Sequence, residues 1–285
     1  MTEIDIKHLR QWIGRTETAT ERLALLQAVQ LAATLDRGHR PAEGQPLPPL
    51  WHWIYFSPHA PHSELGEDGH ARRGGFLPPV PLPRRMWAGG RLTFHHPLRI
   101  GETVTRRSEI LSVSEKSGSQ GGLVFVTVRH TLSNAGGPAI EEEQDIVYRE
   151  PGVTRRAAAP TLPLREADWR EAFPTDPALL FRWSAITFNA HRIHYDQPYA
   201  TGVEGYPGLV VQGPLTATLL LDSWERQTGG TARTFSFRGQ APLFCGDTLT
   251  ICGQRDGAGC DLWAEGPAGF VAMSARATGG ARHAD

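Results

Sequence analysis

Alternation of apolar and polar residues is clearest in the middle of the chain. Residues 104–113, 123–132 and 140–148 each read as a strand, with Val124, Val126 and Val128 on one face and Phe125 and Thr127 on the other. Asn134-Ala135-Gly136-Gly137 is a hairpin signal between the second and third of these, and Gly118 to Gly122 reads as the tip joining the first two. An antiparallel meander follows. Upstream, Leu23, Leu26, Val29 or Gln30, and Ala33 step at helical intervals, and Asp36-Arg37-Gly38 closes the run. That pattern predicts a helix over residues 18–35.

The second half repeats the order. Residues 179–183 read as a strand, then Gly213-Pro214 opens a helix that runs through about Gln227 and is ended by Gly229-Gly230. Strands are predicted at 233–238, 248–253, 260–265 and 270–277. The helix carries Leu219-Leu220-Leu221 in its body and is apolar nearly all round, so a sheet should wrap it. Between the halves, residues 151–177 hold five prolines and a run of alanines without either period, which reads as a linker between units 1–150 and 178–285.

A nine-residue repeat supports the division. Pro97-Leu98-Arg99-Ile100-Gly101-Glu102-Thr103-Val104-Thr105 returns as Pro242-Leu243-Phe244-Cys245-Gly246-Asp247-Thr248-Leu249-Thr250, about half the chain later. The shared elements are a proline, a glycine-plus-acid turn and a β-branched strand start. A duplicated domain of ordinary size fits this spacing.

Composition narrows the classes. The 285 residues carry 29 Lys+Arg against 30 Asp+Glu, a net charge of −1, so no general field attracts nucleic acid or an anionic membrane. No run of about 18 apolar residues occurs, which speaks against a spanning helix. Cys245, Cys252 and Cys260 are odd in number and lack C-x-x-C spacing, so they read as packing residues of a reducing, cytoplasmic protein. The first 14 residues mix charges with isolated apolar positions, unlike a signal peptide.

The densest polar cluster is Thr187-Phe188-Asn189-Ala190-His191-Arg192-Ile193-His194-Tyr195-Asp196, followed by Tyr206-Pro207-Gly208-Leu209-Val210-Val211-Gln212-Gly213-Pro214. This stretch resembles the MaoC-like (R)-specific enoyl-thioester hydratases and dehydratases. Their signature is Asp, four residues, His, one residue, Asp, then a glycine opening the central helix of a hotdog fold. His194, Asp196 and Gly213 fall on it. Together with Pro83-Arg84-Arg85-Met86-Trp87-Ala88-Gly89-Gly90, the cluster is similar to the branch of 3-methylfumaryl-CoA (mesaconyl-CoA) hydratase, itaconyl-CoA hydratase and mitochondrial 3-hydroxyacyl-thioester dehydratase.

The resemblance implies an α+β double hotdog, two antiparallel sheets each around a central helix, with the site in the second. It also implies an acyl-CoA substrate, no cofactor, no metal and a homodimer. Hydration needs a base for water, an acid for the α-carbon and a donor for the thioester oxygen. On this reading His194 is the acid/base, Asp196 orients and charges its imidazole, and the Gly213 amide at the helix N-terminus meets the oxygen. Asn189 stands where the broader family has its first acid and cannot exchange a proton. It is read as the water holder, with Asp196, His191, Glu64 and Asp68 as alternative acids. Arg84, Arg85 and Arg192 are the candidates for a substrate carboxylate.

Four readings stand beside this one. His194-Tyr195-Asp196 is also the H-x-D of an iron facial triad, whose distal ligand could only be His283. A hotdog lacking its acid could instead bind acyl thioesters without turnover, and a fatty-acyl dehydratase or a thioesterase shares the fold.

Overall fold

A computed structural model describes residues 4–118, 121–150, 165–257 and 259–281. After a single-turn helix α1 (Ile6–Leu9), the first half contributes β1 (Thr16–Arg22), α2 (Leu25–Thr34), β2 (Arg84–Phe94), β3 (Thr103–Gly118), β4 (Gly121–Asn134) and β5 (Gly137–Arg149). The second half contributes β6 (Trp169–Pro174), α3 (Pro177–Ile186), α4 (Gly213–Thr228), β7 (Gly230–Gly239), β8 (Thr248–Asp256), β9 (Gly259–Glu265) and β10 (Val271–Ala281). Among the described residues, no helix is long and apolar enough to cross a membrane.

All ten strands join one sheet in the order β1-β3-β4-β5-β2-β7-β10-β9-β8-β6. Read outward from the centre, the two halves have the same strand order, and every pairing is antiparallel. The join is β2 against β7, Gly89 opposite Arg238 through Thr93 opposite Thr234. Side-chain bulk is excluded there: a Cβ on Gly89 would lie 2.5 Å from the Phe237 carbonyl oxygen, and one on Gly90 2.9 Å from the Phe237 ring. One apolar cluster runs through both halves, from Leu23 and Leu31 to Leu220 and Phe235. A second, around Val124, Val126 and Val128, is closed over by Leu9, Val80 and Leu82.

The duplicated segment shows why its residue types recur. Gly101 (φ +94°) and Gly246 (φ +90°) take the left-handed conformation that L side chains resist. The acid one position later bonds back to the chain: Arg99 N–H donates to Glu102 Oε1 at 2.7 Å, and Phe244 N–H donates to Asp247 Oδ2 at 3.2 Å. Glu102 N–H to Arg99 carbonyl (3.2 Å) and Asp247 N–H to Phe244 carbonyl (3.0 Å) complete the same turn in each half.

The helices depart from expectation in three places. Residues 16–22 are strand, because Thr16, Thr18 and Thr20 alternate along β3 and Thr20 Oγ1 meets Thr105 Oγ1 at 2.9 Å. Residues 179–183 lie in α3, not a strand: Asp176 caps it, accepting Leu179 N–H at 2.7 Å, and Pro177 takes the first turn. Among the described residues only α4 is wrapped, packing on β7 to β10, while α2 packs on α3 and on the 3-10 turn Trp51–Ile54. Residues 68–83, at the corresponding place in the first half, hold Pro78, Pro79, Pro81 and Pro83, which deny it a long helix. Duplication is thus carried by strands and turns.

The segment expected as linker contains β6, which pairs with β8, and the Trp169 ring fills the space over Gly253, where a Cβ would lie 2.0 Å from it. Residues 151–164 lie outside the described residues. C-terminal glycine chemistry ends α4 as expected, with Gly229 at φ +66°.

The turn yields a stability test. A Cβ on Gly246 would meet nothing within 4 Å, so Gly246→Ala isolates backbone strain. We expect a loss of about 1–2 kcal/mol in chemical denaturation. An unchanged midpoint would contradict the left-handed geometry.

Candidate active site

A cavity of about 2050 Å³ opens between the halves. Its walls include Asn189, His191, His194 and Gly213 from the second half and His52, His70, Arg85 and Glu142 from the first. Side chains from distant parts of the chain therefore face one space.

The loop after α3 is built by local capping. Phe188 takes φ +49°, Asn189 Oδ1 accepts the His191 N–H at 3.0 Å, and a 3-10 turn spans Arg192–His194. His194 is buried and donates its Nδ1 proton to the Val210 carbonyl at 2.7 Å. A carbonyl can only accept, so this bond fixes the tautomer and leaves Nε2 with its lone pair. Burial pushes the imidazole down to about 4, although the Val210 bond opposes that shift. His194 is therefore neutral at pH 7, the form that can accept a proton.

Gly213 is the first residue of α4, after the N-cap Gln212. Its N–H has no acceptor within the helix, and the dipole favours negative charge there. A Cβ at 213 would come no closer than 4.0 Å to Met273 Cε, so glycine keeps the approach open without being forced by a clash. Gln212 ties the two helices together, donating from Nε2 to the Leu180 carbonyl and Ser184 Oγ, each at 3.0 Å.

Asp196 does not touch His194. Its Oδ2 accepts from Arg192 Nε (3.0 Å) and Nη2 (2.7 Å), and its Oδ1 accepts the Tyr199 N–H at 3.1 Å. It caps a loop, and the Val210 carbonyl has the orienting role expected of it. The H-x-D iron reading loses its geometry with that placement, and His283 lies outside the described residues.

The arginines separate. Arg84 is buried and ion-paired through Nε with Glu204 Oε2 at 2.9 Å, and also bonds the Glu204 carbonyl. Arg192 holds Asp196, donates to the Glu67 carbonyl at 3.1 Å and stacks 4.1 Å from the Tyr199 ring centre. Neither lines the cavity; Arg85 does.

Sequence reasoning missed His70. It reaches the site because a first-half loop is clamped on the second-half loop. Arg192 N–H donates to the Asp68 carbonyl at 3.0 Å, and Gly69 (φ +88°) lies so close that a Cβ would sit 1.9 Å from the Ala190 oxygen. Asp68 accepts twice from His70, Oδ1 from its N–H and Oδ2 from Nδ1, both at 3.0 Å. The His70 ring centre is 4.2 Å from that of His191, which is 5.3 Å from that of His194. Burial lowers His70 and His191, the latter further through its histidine neighbours. Burial would raise Asp68, but the two His70 hydrogen bonds and the neighbouring imidazoles together outweigh it and hold the carboxyl well below its usual range. Of the alternative acids, Glu64 is exposed, and Asp68 stands behind His70.

Residues 50–245, which contain all of this machinery, match the profile of a family described as hydroxyacyl-thioester dehydratase type 2. The chain belongs to that family. It is 52% identical over 267 residues to the mesaconyl-C(4)-CoA hydratase of Chloroflexus aurantiacus, covering 93% of this chain and 95% of that protein. Against the mitochondrial hydroxyacyl-thioester dehydratase type 2 of Schizosaccharomyces pombe it is 30% identical, covering 82% and 87%. In fold it is similar to a MaoC-like dehydratase from Phytophthora capsici (TM-score 0.65, 15% identity, 98% and 100% of the chains). A Mycobacterium tuberculosis protein described as a double hotdog superposes with TM-score 0.61 (14% identity, 94% and 96%). The double hotdog architecture is thereby shown.

The clamp can be broken at one position. Gly69→Ala forces a Cβ into the Ala190 carbonyl, so turnover by the family's reaction should fall at least about tenfold, as misplaced catalytic groups commonly cost. The far-UV circular dichroism spectrum should stay unchanged. Wild-type turnover in this variant would separate the loop contact from catalysis.

Proposed function

We propose that this chain catalyses the reversible hydration of an enoyl-CoA thioester, with a short branched dicarboxylic acyl group such as 3-methylfumaryl-CoA (mesaconyl-CoA) or itaconyl-CoA. The observation that carries the reading is the neutral Nε2 of His194 facing the same cavity as the free N–H end of α4. Identity of 52% to a mesaconyl-C(4)-CoA hydratase supports the acyl class.

In this mechanism His194 Nε2 takes a proton from water as the water oxygen bonds to the β-carbon. The displaced π electrons move onto the thioester oxygen, where the Gly213 N–H meets the developing charge. The imidazolium then returns its proton to the α-carbon, so one water is consumed and the histidine is restored. Asn189 Oδ1 is engaged by the His191 N–H, which leaves its amide nitrogen to hold the water. Arg85 is the cation that would meet a free carboxylate, since Arg84 and Arg192 are committed elsewhere. Cytoplasmic residence and a homodimer belong to the same proposal, the former supported by three free cysteines.

Loss of ultraviolet absorbance across a panel of enoyl-CoA esters tests the reaction. His194→Ala should lower kcat/KM by about 10²–10⁴-fold; near-normal rates would remove His194 from the mechanism. Asn189→Asp, which restores the broader family's residue, should retain part of the activity.

Substrate class has its own measurement. Arg85→Met should lower kcat/KM for 3-methylfumaryl-CoA by at least about tenfold and leave crotonyl-CoA little changed, the loss expected when a carboxylate forfeits its charged partner. Better turnover of crotonyl-CoA by the wild type would favour a dehydratase of fatty-acid metabolism; the Schizosaccharomyces pombe relative is named a hydroxyacyl-thioester dehydratase.

A further inference from the structure

The cluster behind the catalytic loop has a use that the proposed hydration does not require. Asp68, His70 and His191 each turn one potential ligand atom toward the others, and these atoms lie within 4.8 Å of one another. Two come from a first-half loop and one from the second-half loop clamped against it. The geometry points to a binding site for a zinc-class divalent transition ion at Asp68, His70 and His191, with its remaining coordination position open to the cavity.

Three features favour the site. One carboxylate oxygen and two imidazole nitrogens form a donor set suited to zinc, and an open fourth position is usual where such an ion is reached from a cavity. The Asp68 Oδ2 to His70 Nδ1 distance of 3.0 Å is close to the roughly 3.3 Å that separates two ligands of a tetrahedral ion with bonds of about 2.0–2.1 Å. An ion can therefore replace the proton between those atoms with little movement, and the His70 N–H to Asp68 Oδ1 bond already fixes the carboxylate.

His191 completes the set without breaking a side-chain hydrogen bond, since its bond in this loop runs from the backbone N–H to Asn189 Oδ1. Its ring lies 4.2 Å from that of His70, tilted by 45°, so a small side-chain rotation brings a nitrogen to the ion. The loops are held in register by the Arg192 N–H to Asp68 carbonyl bond and by the contact at Gly69. Asp68 is ionised and both imidazoles are neutral, so binding shifts the His70 proton from Nδ1 to Nε2 and releases none. A hydrated dication would also occupy cavity space beside His194, so occupancy should inhibit hydration.

The test uses the full chain, freed of metal by chelation. Isothermal titration with Zn²⁺ should give one ion bound per chain, and Co²⁺ should give the intense visible absorption of a four-coordinate site. Asp68→Asn, His70→Gln and His191→Gln should each weaken binding by at least the roughly 10–100-fold that loss of an outer partner costs. His194→Gln should leave binding in place. Zn²⁺ should lower hydration by the wild type, and chelator should restore it. The proposal is overturned if the three ligand variants bind as the wild type does, if His194→Gln alone abolishes binding, or if Co²⁺ gives only the spectrum of the hexaaqua ion. Thermal melts of each variant identify one that fails to fold, and the wild-type stoichiometry and Co²⁺ spectrum then decide. None of the binding measurements needs turnover, so their failure is distinct from a failure of the hydratase reading.

Discussion

Everything in this molecule depends on the antiparallel seam between β2 and β7. Backbone pairing at residues 89–93 and 234–238 turns two five-stranded units into one sheet, and it tolerates little bulk on the β2 side. Gly89 and Gly90 meet that need, because any Cβ there would enter the space of Phe237. On the inner side of the seam Trp53, Trp87 and Phe237 pack edge to face with ring centres 4.8–5.9 Å apart. The seam therefore fixes how the two halves face each other, and the cavity is the space that this relation leaves.

From that constraint it follows that the site is shared. The second half supplies a tautomer-locked imidazole and a helix N-terminus, both positioned by backbone: Val210 orients His194, and the turn at Gln212 aims Gly213. The first half supplies Arg85 from β2 and His70 from a clamped loop. Placing the site in the second half alone understates the first, since its loop abuts the backbone of the residues around Asn189 and His191. A change at Gly69 or Asp68 acts on the second-half site through that contact.

How much of this could be read from sequence depended on the range of the interaction. Strands β3, β4 and β5 and helix α4 were legible because their patterns and end signals are local. So was the repeat, whose Gly-acid pair encodes a self-contained turn at 101–102 and 246–247. The helix expected at 18–35 failed at its start, where pairing of 16–22 with β3 overrides helical spacing; the strand expected at 179–183 failed because the Asp176-Pro177 start signal went unread. At the site, His194 and Gly213 match the motif and Asn189 stands in place of its first acid, and all three line the cavity. Asp196 and Arg192 sit in the same motif yet bind each other, four residues apart, which a linear pattern does not distinguish from contact with His194. His70 lies more than a hundred residues from the loop it joins, and no local signal announces such a contact.

The missing long helix of the first half also shapes the cavity. In the second half α4 fills the space against its strands, whereas in the first a short turn at Trp51–Ile54 leaves that volume open. Its wall is polar. Glu142 there is buried and accepts from His52 Nε2 (3.0 Å), Trp53 Nε1 (2.9 Å) and Gln144 Nε2 (2.8 Å), and His130 Nδ1 meets Ser108 Oγ at 2.9 Å nearby. Burial would raise the Glu142 carboxyl, but these bonds, His52 foremost, outweigh it and keep the group low and ionised. Glu142 and His52 are buried, so these bonds are made within the protein and hold the Trp51–Ile54 turn against β5. The turn is thereby kept at the edge of the cavity, and the seam sets it and the His194 imidazole around one space.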